Sequence, residues 1–145
     1  MRPEAFNDFC GSLLATNHVV QWGGADVWKV ADKMFAIGFF GTDYRNWPGG
    51  KPPKGDDQRP TPDHGFFTFK VSPLSFDILK DQPGLRPAPY LASRGMSWIQ
   101  HYDDPGLSDD DLKAYLTRSY YLVAAGLSRK KRDGLGITIP DGLDG

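Results

Sequence analysis

The chain has 145 residues, of which 39% are hydrophobic and 24% charged, a composition that suits one folded domain and excludes a disordered solvating chain. Its 17 basic and 18 acidic residues give a net charge of -1, so no overall attraction to nucleic acid or anionic membranes is expected and any basic surface must be local. The single cysteine, Cys10, excludes an internal disulfide and favours a reducing, cytoplasmic location. We expect a soluble protein, because polar residues interrupt the N-terminal stretch and no apolar run is as long as a membrane span.

The first predicted element is an amphipathic helix over residues 3–15, where apolar side chains recur at the three-and-four spacing of one helical face. Three short segments rich in β-branched and aromatic residues follow it, at 19–22, 27–30 and 34–40. The connections between these segments are too short for the crossover that parallel strands require. The sequence therefore predicts a helix followed by three antiparallel strands.

A long loop is predicted over residues 41–65, which contain five prolines and five glycines and, as large apolar residues, only Tyr44 and Trp47. Loops of this length within a compact domain are typically functional or mobile. Because few apolar side chains hold it, we expect the first cut of limited proteolysis here. A strand is predicted directly after the loop, at 66–71, where side chains alternate between two faces.

Two further helices are predicted, each with a serine before its first turn. Residues 73–81 form the shorter one, and its inward side chains are expected to be Leu74, Ile78 and Leu79. Prolines keep the following segment extended until a last strand at 97–101. The longer helix covers 109–126 and begins with three aspartates at the positive end of its dipole.

Helices at both ends of the chain, with an antiparallel sheet between them, predict an α+β fold. We expect a two-layer sandwich in which a sheet of about five strands carries the N- and C-terminal helices on one face. A single domain is predicted over residues 1–132, followed by a tail at 133–145. The two helices should bury a shared apolar stripe, formed by Phe6, Phe9, Leu13, Leu112, Leu116 and Val123.

Several short motifs occur in a characteristic order along this framework. After the N-terminal helix come the Trp22-Gly23 turn, the hairpin of 27–30 with 33–36, the pairs Pro83-Gly84 and Pro87-Ala88, Tyr90, Trp98 and the segment 118–123. This order resembles the MmcQ/YjbR family, whose members have the frataxin-like (CyaY-like) fold. The resemblance covers residues 3–132, interrupted by the long loop. Family members are commonly described as DNA-binding proteins with a double-wing shape, so the resemblance implies this fold and DNA binding.

Eight basic residues are candidates for a nucleic-acid interface. Lys29 and Lys33 flank the predicted hairpin turn and would lie along a phosphate backbone as a wing tip, although exposed lysines also protect sheet edges. The basic run after the last helix could contact phosphates, or it could complement the negative end of the helix dipole. The full set is Lys29, Lys33, Arg94, Arg118, Arg129, Lys130, Lys131 and Arg132.

A second candidate site is the segment from Tyr90 to Trp98, which follows a proline-stiffened stretch. Together with Arg94, these two aromatic residues could stack a base or bind a small anion. The alternative is that Trp98 belongs to the core and that Tyr90 and Arg94 cap it. Ligand binding is predicted at Tyr90 and Trp98.

The sequence lacks the histidine, nucleophile and glycine-loop motifs that support metal binding, catalysis or cofactor binding. His18, His64 and His101 do not have the spacing of metal ligands, and neither a nucleophile elbow nor a phosphate-binding glycine loop is present. We therefore predict a protein without enzyme activity, without a cofactor and without a metal site.

Weak, phosphate-directed DNA binding is the leading functional prediction. The alternative is a protein-interaction or small-ligand-binding module that uses the 41–65 loop and the Tyr90–Trp98 region, for which near-neutral charge is natural. The fold class by itself suggests frataxin-like iron handling, which needs an acidic ridge where the first helix offers only Glu4 and Asp8. The predicted partners are thus DNA or another protein, and no membrane.

Overall fold

The computed structural model describes residues 1–21, 24–40, 60, 64–89, 91–92 and 95–141. Within them the chain forms four helices and six strands. The helices are α1 (Pro3–Gly11), α2 (Pro73–Leu79), α3 (Asp109–Ala125) and α4 (Arg129–Leu135). The strands are β1 (Thr16–Gln21), β2 (Ala25–Val30), β3 (Lys33–Phe39), β4 (Phe66–Lys70), β5 (Leu85–Pro87) and β6 (Trp98–His101).

Some of the sequence-based predictions fall outside the described residues. Most of the 41–65 loop, the Trp22-Gly23 turn, Tyr90 and Arg94 belong to this group, so their predicted roles, and the expected protease cut, stay predictions. Among the described residues, no helix is both long enough and apolar enough to cross a membrane.

All described strands join one antiparallel sheet in the order β1-β2-β3-β4-β6-β5. A two-residue turn connects β2 to β3, and its residues Ala31 and Asp32 both have positive φ, at 48° and 65°, which suits the twist of hairpin strands. Directly paired residues of neighbouring strands point to the same face of a sheet. One such row crosses the whole sheet and consists of Val19, Val27, Ile37, Thr68, Gln100 and Arg86.

The predicted α+β sandwich is confirmed, with six described strands in place of about five. The additional strand is β5, which is three residues long and ends at Pro87. The prolines in this segment predicted only an extended chain. Because β5 lies at the sheet edge, a proline there costs no hydrogen bond of the ladder, and the strand forms.

The helices α1 and α3 cover the same face of the sheet and bury the main core. Phe6 of α1 and Leu112 and Leu116 of α3 are at most 1% exposed and belong to one apolar cluster with the aromatic residues of β3 and β4. Of the remaining members of the predicted stripe, Val123 is buried, whereas Phe9 and Leu13 are half-buried. The predicted apolar stripe is therefore present, but Phe9 near the end of α1 and Leu13 just after it remain partly in contact with solvent.

The first helix ends earlier than the apolar spacing predicts. Residues 3–15 were expected to be helical, but α1 ends at Gly11. Ala15 has a φ of 62°, which breaks the helical path, and the hydroxyl of Thr16 donates to the carbonyls of Cys10 and Leu13. These bonds occupy carbonyls at the helix end and turn the chain into β1.

The inward face of α2 differs from the prediction. Leu79 is buried as expected, but Leu74 and Ile78 are 58% and 55% exposed. Ser75 is buried instead and Phe76 is half-buried, so the helix rests on the side that carries these residues together with Leu79. Because α2 has only seven residues, only one narrow side of it is needed to contact the rest of the domain. The remaining apolar side chains of α2 stay exposed.

The basic run after α3 begins a helix of its own. Gly126 ends α3, the hydroxyl of Ser128 accepts a hydrogen bond from the Lys131 amide, and α4 follows. The basic side chains therefore belong to α4, and the last turn of α3 itself has no basic residue. Beyond α4, Ile137 is 6% exposed and packs in the main core, which fixes α4 against the domain.

Candidate functional site

The β2–β3 turn and α4 lie at the same end of the molecule. The rings of Phe35, at the start of β3, and Tyr120, near the end of α3, are 5.6 Å apart between centroids. The Tyr120 hydroxyl also donates to the carbonyl of Leu14, just before the strand that pairs with the end of β2. A methyl group added at Gly136, the residue after α4, would lie 3.7 Å from Leu14 Cδ2. The chain after α3 is thus held at the sheet end that carries the turn.

We call the basic residues of these two segments the basic end. Its members are Lys29, Lys33, Arg129, Lys130, Lys131 and Arg132. Lys33 and the first three residues of α4 are exposed, whereas Lys29 and Arg132 are half-buried. Between 29 and 33 and between 129 and 133 the only acidic residues are Asp32 and Asp133, and Asp133 lies 4.0 Å from Arg129 Nε. Six cations against two carboxylates leave a local excess of four positive charges.

The other predicted nucleic-acid contacts are not part of the basic end. Arg118 is exposed on α3, and its guanidinium lies over the ring of Tyr115, 5.5 Å from the centroid. Arg94 lies outside the described residues. The structure therefore brings six of the eight candidates to one end of the domain and leaves Arg118 on the flank of α3.

Trp98, the described member of the predicted ligand site, is buried in β6. Its side chain is on the face opposite the helices, since its neighbour Ile99 packs in the main core. The residue is 3% exposed, in agreement with the core interpretation. Its indole Nε1 is also buried and has no hydrogen-bond partner among the described residues.

A polar cluster stands two residues further along the same face. Arg86 Nε donates to Gln100 Oε1 at 2.8 Å, and Gln100 Nε2 donates to Thr68 Oγ1 at 3.4 Å. The guanidinium lies over the rings of Tyr102 and Phe66, at 4.3 and 5.9 Å from their centroids. We call these residues the arginine cluster. Gln100 and Thr68 are at most 5% exposed, while Arg86 and Tyr102 are half-buried.

No ion pair of Arg86 is found among the described residues. The acidic residue nearest in sequence to its aromatic partner is Asp103, which lies 3.7 Å from His64 Nε2. Gln100 accepts a hydrogen bond from Nε of the Arg86 guanidinium. The terminal N–H groups of Arg86 are donors that have no carboxylate partner in the described part of the chain. Within the described residues the guanidinium is thus oriented by neutral partners only.

The opposite face of β6 holds a buried imidazole. His101 stacks on Phe67 with 6.0 Å between ring centroids, and neither ring nitrogen has a hydrogen-bond partner within the described residues. Gly106, at a φ of 52°, lies so close that a Cβ there would be 1.9 Å from Nε2. Burial lowers the pKa of His101, and the nearby N-terminal ammonium lowers it further. This histidine is neutral at physiological pH and faces packed protein.

The sequence pattern of YjbR matches residues 11–122, which is more than half of the chain. The chain belongs to the YjbR family. This confirms the family resemblance that the order of motifs indicated. No match is found among curated proteins.

Two solved structures share the fold of this YjbR protein. A Deinococcus radiodurans protein, DR2400, described as a DUF419 domain, has a TM-score of 0.70 at 19% identity, with 97% of this chain and 93% of that one covered. A Pseudomonas syringae protein has a TM-score of 0.60 at 20% identity, covering 85% of this chain and 99% of that one. At this level of identity the likeness shows the fold alone.

The sequence did not identify the arginine cluster of this YjbR protein. Arg86 stands between prolines in a segment predicted only as extended chain, and Gln100 is one polar residue in a short strand. Their meeting depends on the pairing of β5 with β6, which no local pattern specifies. The one available signal was the alternation of Trp98 and Gln100, which assigns both to one face of a strand.

Metal and nucleophile chemistry have no support in the described residues. No group of three or more His, Cys, Asp or Glu side chains that could hold a metal ion is found among them. Cys10 is fully buried, and burial raises the pKa of its thiol. A thiol of that kind remains protonated and has little nucleophilic character.

Proposed function

We propose that this YjbR protein binds nucleic acid weakly and without catalysis, through contacts between the basic end and phosphate groups. The observation that carries the proposal is that two basic segments distant in sequence, around Lys33 and around Lys130, lie toward the same end of the domain. Phosphate contacts supply most of the sequence-independent affinity of proteins for nucleic acids. A local excess of positive charge can therefore act even though the whole chain has a net charge of -1.

The strength of the interaction follows from this small excess. Each phosphate neutralised contributes a slope of about -0.9 to the dependence of log K on log salt concentration. A net excess of four positive charges that neutralise four phosphates gives a slope of about -3.6, much shallower than the slope of about -10 of a dedicated DNA-binding protein. Binding should therefore be measurable at low salt and weak at physiological salt.

Sequence discrimination should be slight. Direct readout of bases requires side chains that reach groove edges, most often from a helix seated in the major groove. The basic helix α4 has seven residues and carries no Asn or Gln. Its Lys and Arg side chains suit the phosphate backbone, which is the same in every duplex.

Fluorescence anisotropy with a labelled duplex at about 20 mM salt tests the proposal, since screening is weak there. Lys29→Gln/Lys33→Gln, and neutralisation of the four basic residues of α4, should each weaken binding and make the salt dependence shallower. The matched control for the lysine pair is Lys80→Gln/Lys113→Gln, which removes the same charge from the residue that caps the end of α2 and from the N-terminal half of α3. Equal losses in the control, or no binding by the native chain, would refute the proposal.

The interaction-module alternative depends on residues 41–65 and on Tyr90, which lie for the most part outside the described residues. It would take precedence if the native chain does not bind duplexes of any sequence at low salt.

A further inference from the structure

We infer that the arginine cluster is a binding site for the oxyanion group, carboxylate or phosphate, of a small molecule. This site is independent of the proposed nucleic-acid surface. It lies on the sheet face opposite the helices and at the β5 edge, whereas the basic end lies beside the β2–β3 turn and α4.

The inference begins with the row of register partners that crosses the sheet. Val27 and Ile37, in its β2–β3 half, are at most 2% exposed. The row then becomes polar in β4 and β6, and it ends with a half-buried cation at the edge strand. Partial burial of an arginine at the end of this row costs free energy unless its charge is paired and its N–H groups are hydrogen-bonded.

The neighbours of Arg86 orient it without neutralising it. Gln100 accepts from Nε, and Thr68 in turn accepts from Gln100, so the amide is held in one orientation. The ring of Tyr102, at 4.3 Å, fixes the plane of the guanidinium. Both contacts favour the cation, but neither partner carries a negative charge. The terminal N–H groups are therefore preorganised for a planar or tetrahedral oxyanion.

Trp98 provides a second observation on the same face of β6. Its indole N–H is an unused donor among the described residues, in a side chain that is 3% exposed. Buried polar groups of folded proteins are nearly always hydrogen-bonded. The sheet face that carries the guanidinium therefore also holds a buried donor for which the described residues supply no acceptor.

The test is a titration of the full chain with acetate, benzoate and inorganic phosphate at constant ionic strength, followed by NMR at Arg86 Nε–H and Trp98 Nε1–H. We expect saturable shifts at both Arg86 Nε–H and Trp98 Nε1–H with one Kd at or below about 10 mM, the range accessible to one bidentate contact. Saturation by the carboxylates identifies a carboxylate site, and saturation by phosphate a phosphate site. A response that stays linear for all three overturns the inference.

Variants separate this site from general charge effects. Followed at the Trp98 Nε1–H signal, which both variants retain, Arg86→Met should abolish saturation, and Arg86→Lys, which keeps the charge but loses the planar fork, should weaken binding about tenfold. The matched control is Lys80→Met, which removes another cation placed over an aromatic ring, at 5.8 Å from Phe76, and should bind like the native chain. Saturation that persists unchanged in Arg86→Met contradicts the inference.

A further variant keeps the inference testable if Arg86→Met does not fold. Gln100→Glu puts a carboxylate beside the guanidinium within the protein, so it should compete with added anions and remove the saturable response while Arg86 is retained. Duplex binding at low salt should be unchanged in this variant, and anion binding should be unchanged in Lys29→Gln/Lys33→Gln. Loss of both responses in either variant would contradict two separate sites.

Discussion

The two faces of the sheet differ in how their side chains are brought together. On the helix-covered face, Phe6 and Leu116 meet the aromatic residues of β3 and β4 because each element presents an apolar stripe of its own. On the other face, Arg86, Gln100 and Thr68 meet because three strands pair in one particular register. The first arrangement follows from periodicity within elements, and the second from pairing between them. A change on the helix-covered face should therefore act on stability alone, whereas a change on the other face should act on anion binding and, to a smaller extent, on stability.

The largest loss of stability is expected from Leu116→Ala on the helix-covered face. Leu116 is fully buried, so the substitution removes buried methyl groups and leaves a cavity that costs about 2–5 kcal/mol. Urea unfolding, monitored by tryptophan fluorescence, measures this difference. The anion response of Arg86 should persist in the folded fraction, because the row on the opposite face is untouched.

Ile78→Ala is the matched control for this prediction. Ile78 is 55% exposed on α2, so its truncation should change the free energy of unfolding by no more than about 0.5 kcal/mol. Equal losses in the two variants would show that the stripe of α3 is not the core that the structure describes.

A smaller loss is expected from Gln100→Leu on the other face. Leucine has a similar volume but cannot accept from Arg86 Nε or donate to Thr68, so a charged donor loses its partner at a cost of about 1–3 kcal/mol. Chemical denaturation measures the cost, and the NMR signal of Arg86 Nε–H should broaden or shift. A variant as stable as the native chain, with an unchanged Arg86 signal, would show that the hydrogen-bonded row contributes nothing.

These two faces also show which features of the fold can be predicted from the sequence alone and which cannot. The helix stripes, the hairpin of β2 with β3 and the serine caps of α2 and α3 were predictable, since each depends on residues a few positions apart. The exposure of Leu74 and Ile78 was not, because the choice between two sides of a short helix is made by its tertiary neighbours. The basic residues could be identified but their meeting could not, and Arg86 gave no local sign of its role.

The pH dependence of stability should reveal the buried imidazole of the helix-covered face. Burial lowers the pKa of His101 in the folded state below its ordinary value of 6.5, so the unfolded chain binds the proton more tightly. The contribution of His101 is therefore complete above pH 6.5 and is lost as the pH falls below 6.5 towards the lowered pKa. Urea unfolding between about pH 8 and pH 5 measures it.

His101→Gln isolates this contribution from that of the carboxylates and of the other histidines. Glutamine does not titrate, so the difference between the native and variant curves should be flat above pH 6.5 and should shrink or reverse below it. Parallel curves over the whole range would contradict the assignment of a lowered pKa to His101. Gln100→Leu, one residue away on the opposite face, should leave this pH difference unchanged.

The smallest effect on stability is expected at the two lysines beside the β2–β3 turn, whose removal should nevertheless weaken nucleic-acid binding. Lys33 is exposed and Lys29 half-buried beside the β2–β3 turn, and neither takes part in an ion pair or a side-chain hydrogen bond found among the described residues. Lys29→Gln/Lys33→Gln should therefore change the free energy of unfolding by no more than about 0.5 kcal/mol, the range of ordinary surface substitutions. The turn conformation depends on Ala31 and Asp32, which are retained. Comparison of the thermal stability of this variant with its affinity for the duplex shows whether these lysines act in binding. A large loss of stability would assign them a structural role at the turn and would remove the variant as evidence for phosphate contacts.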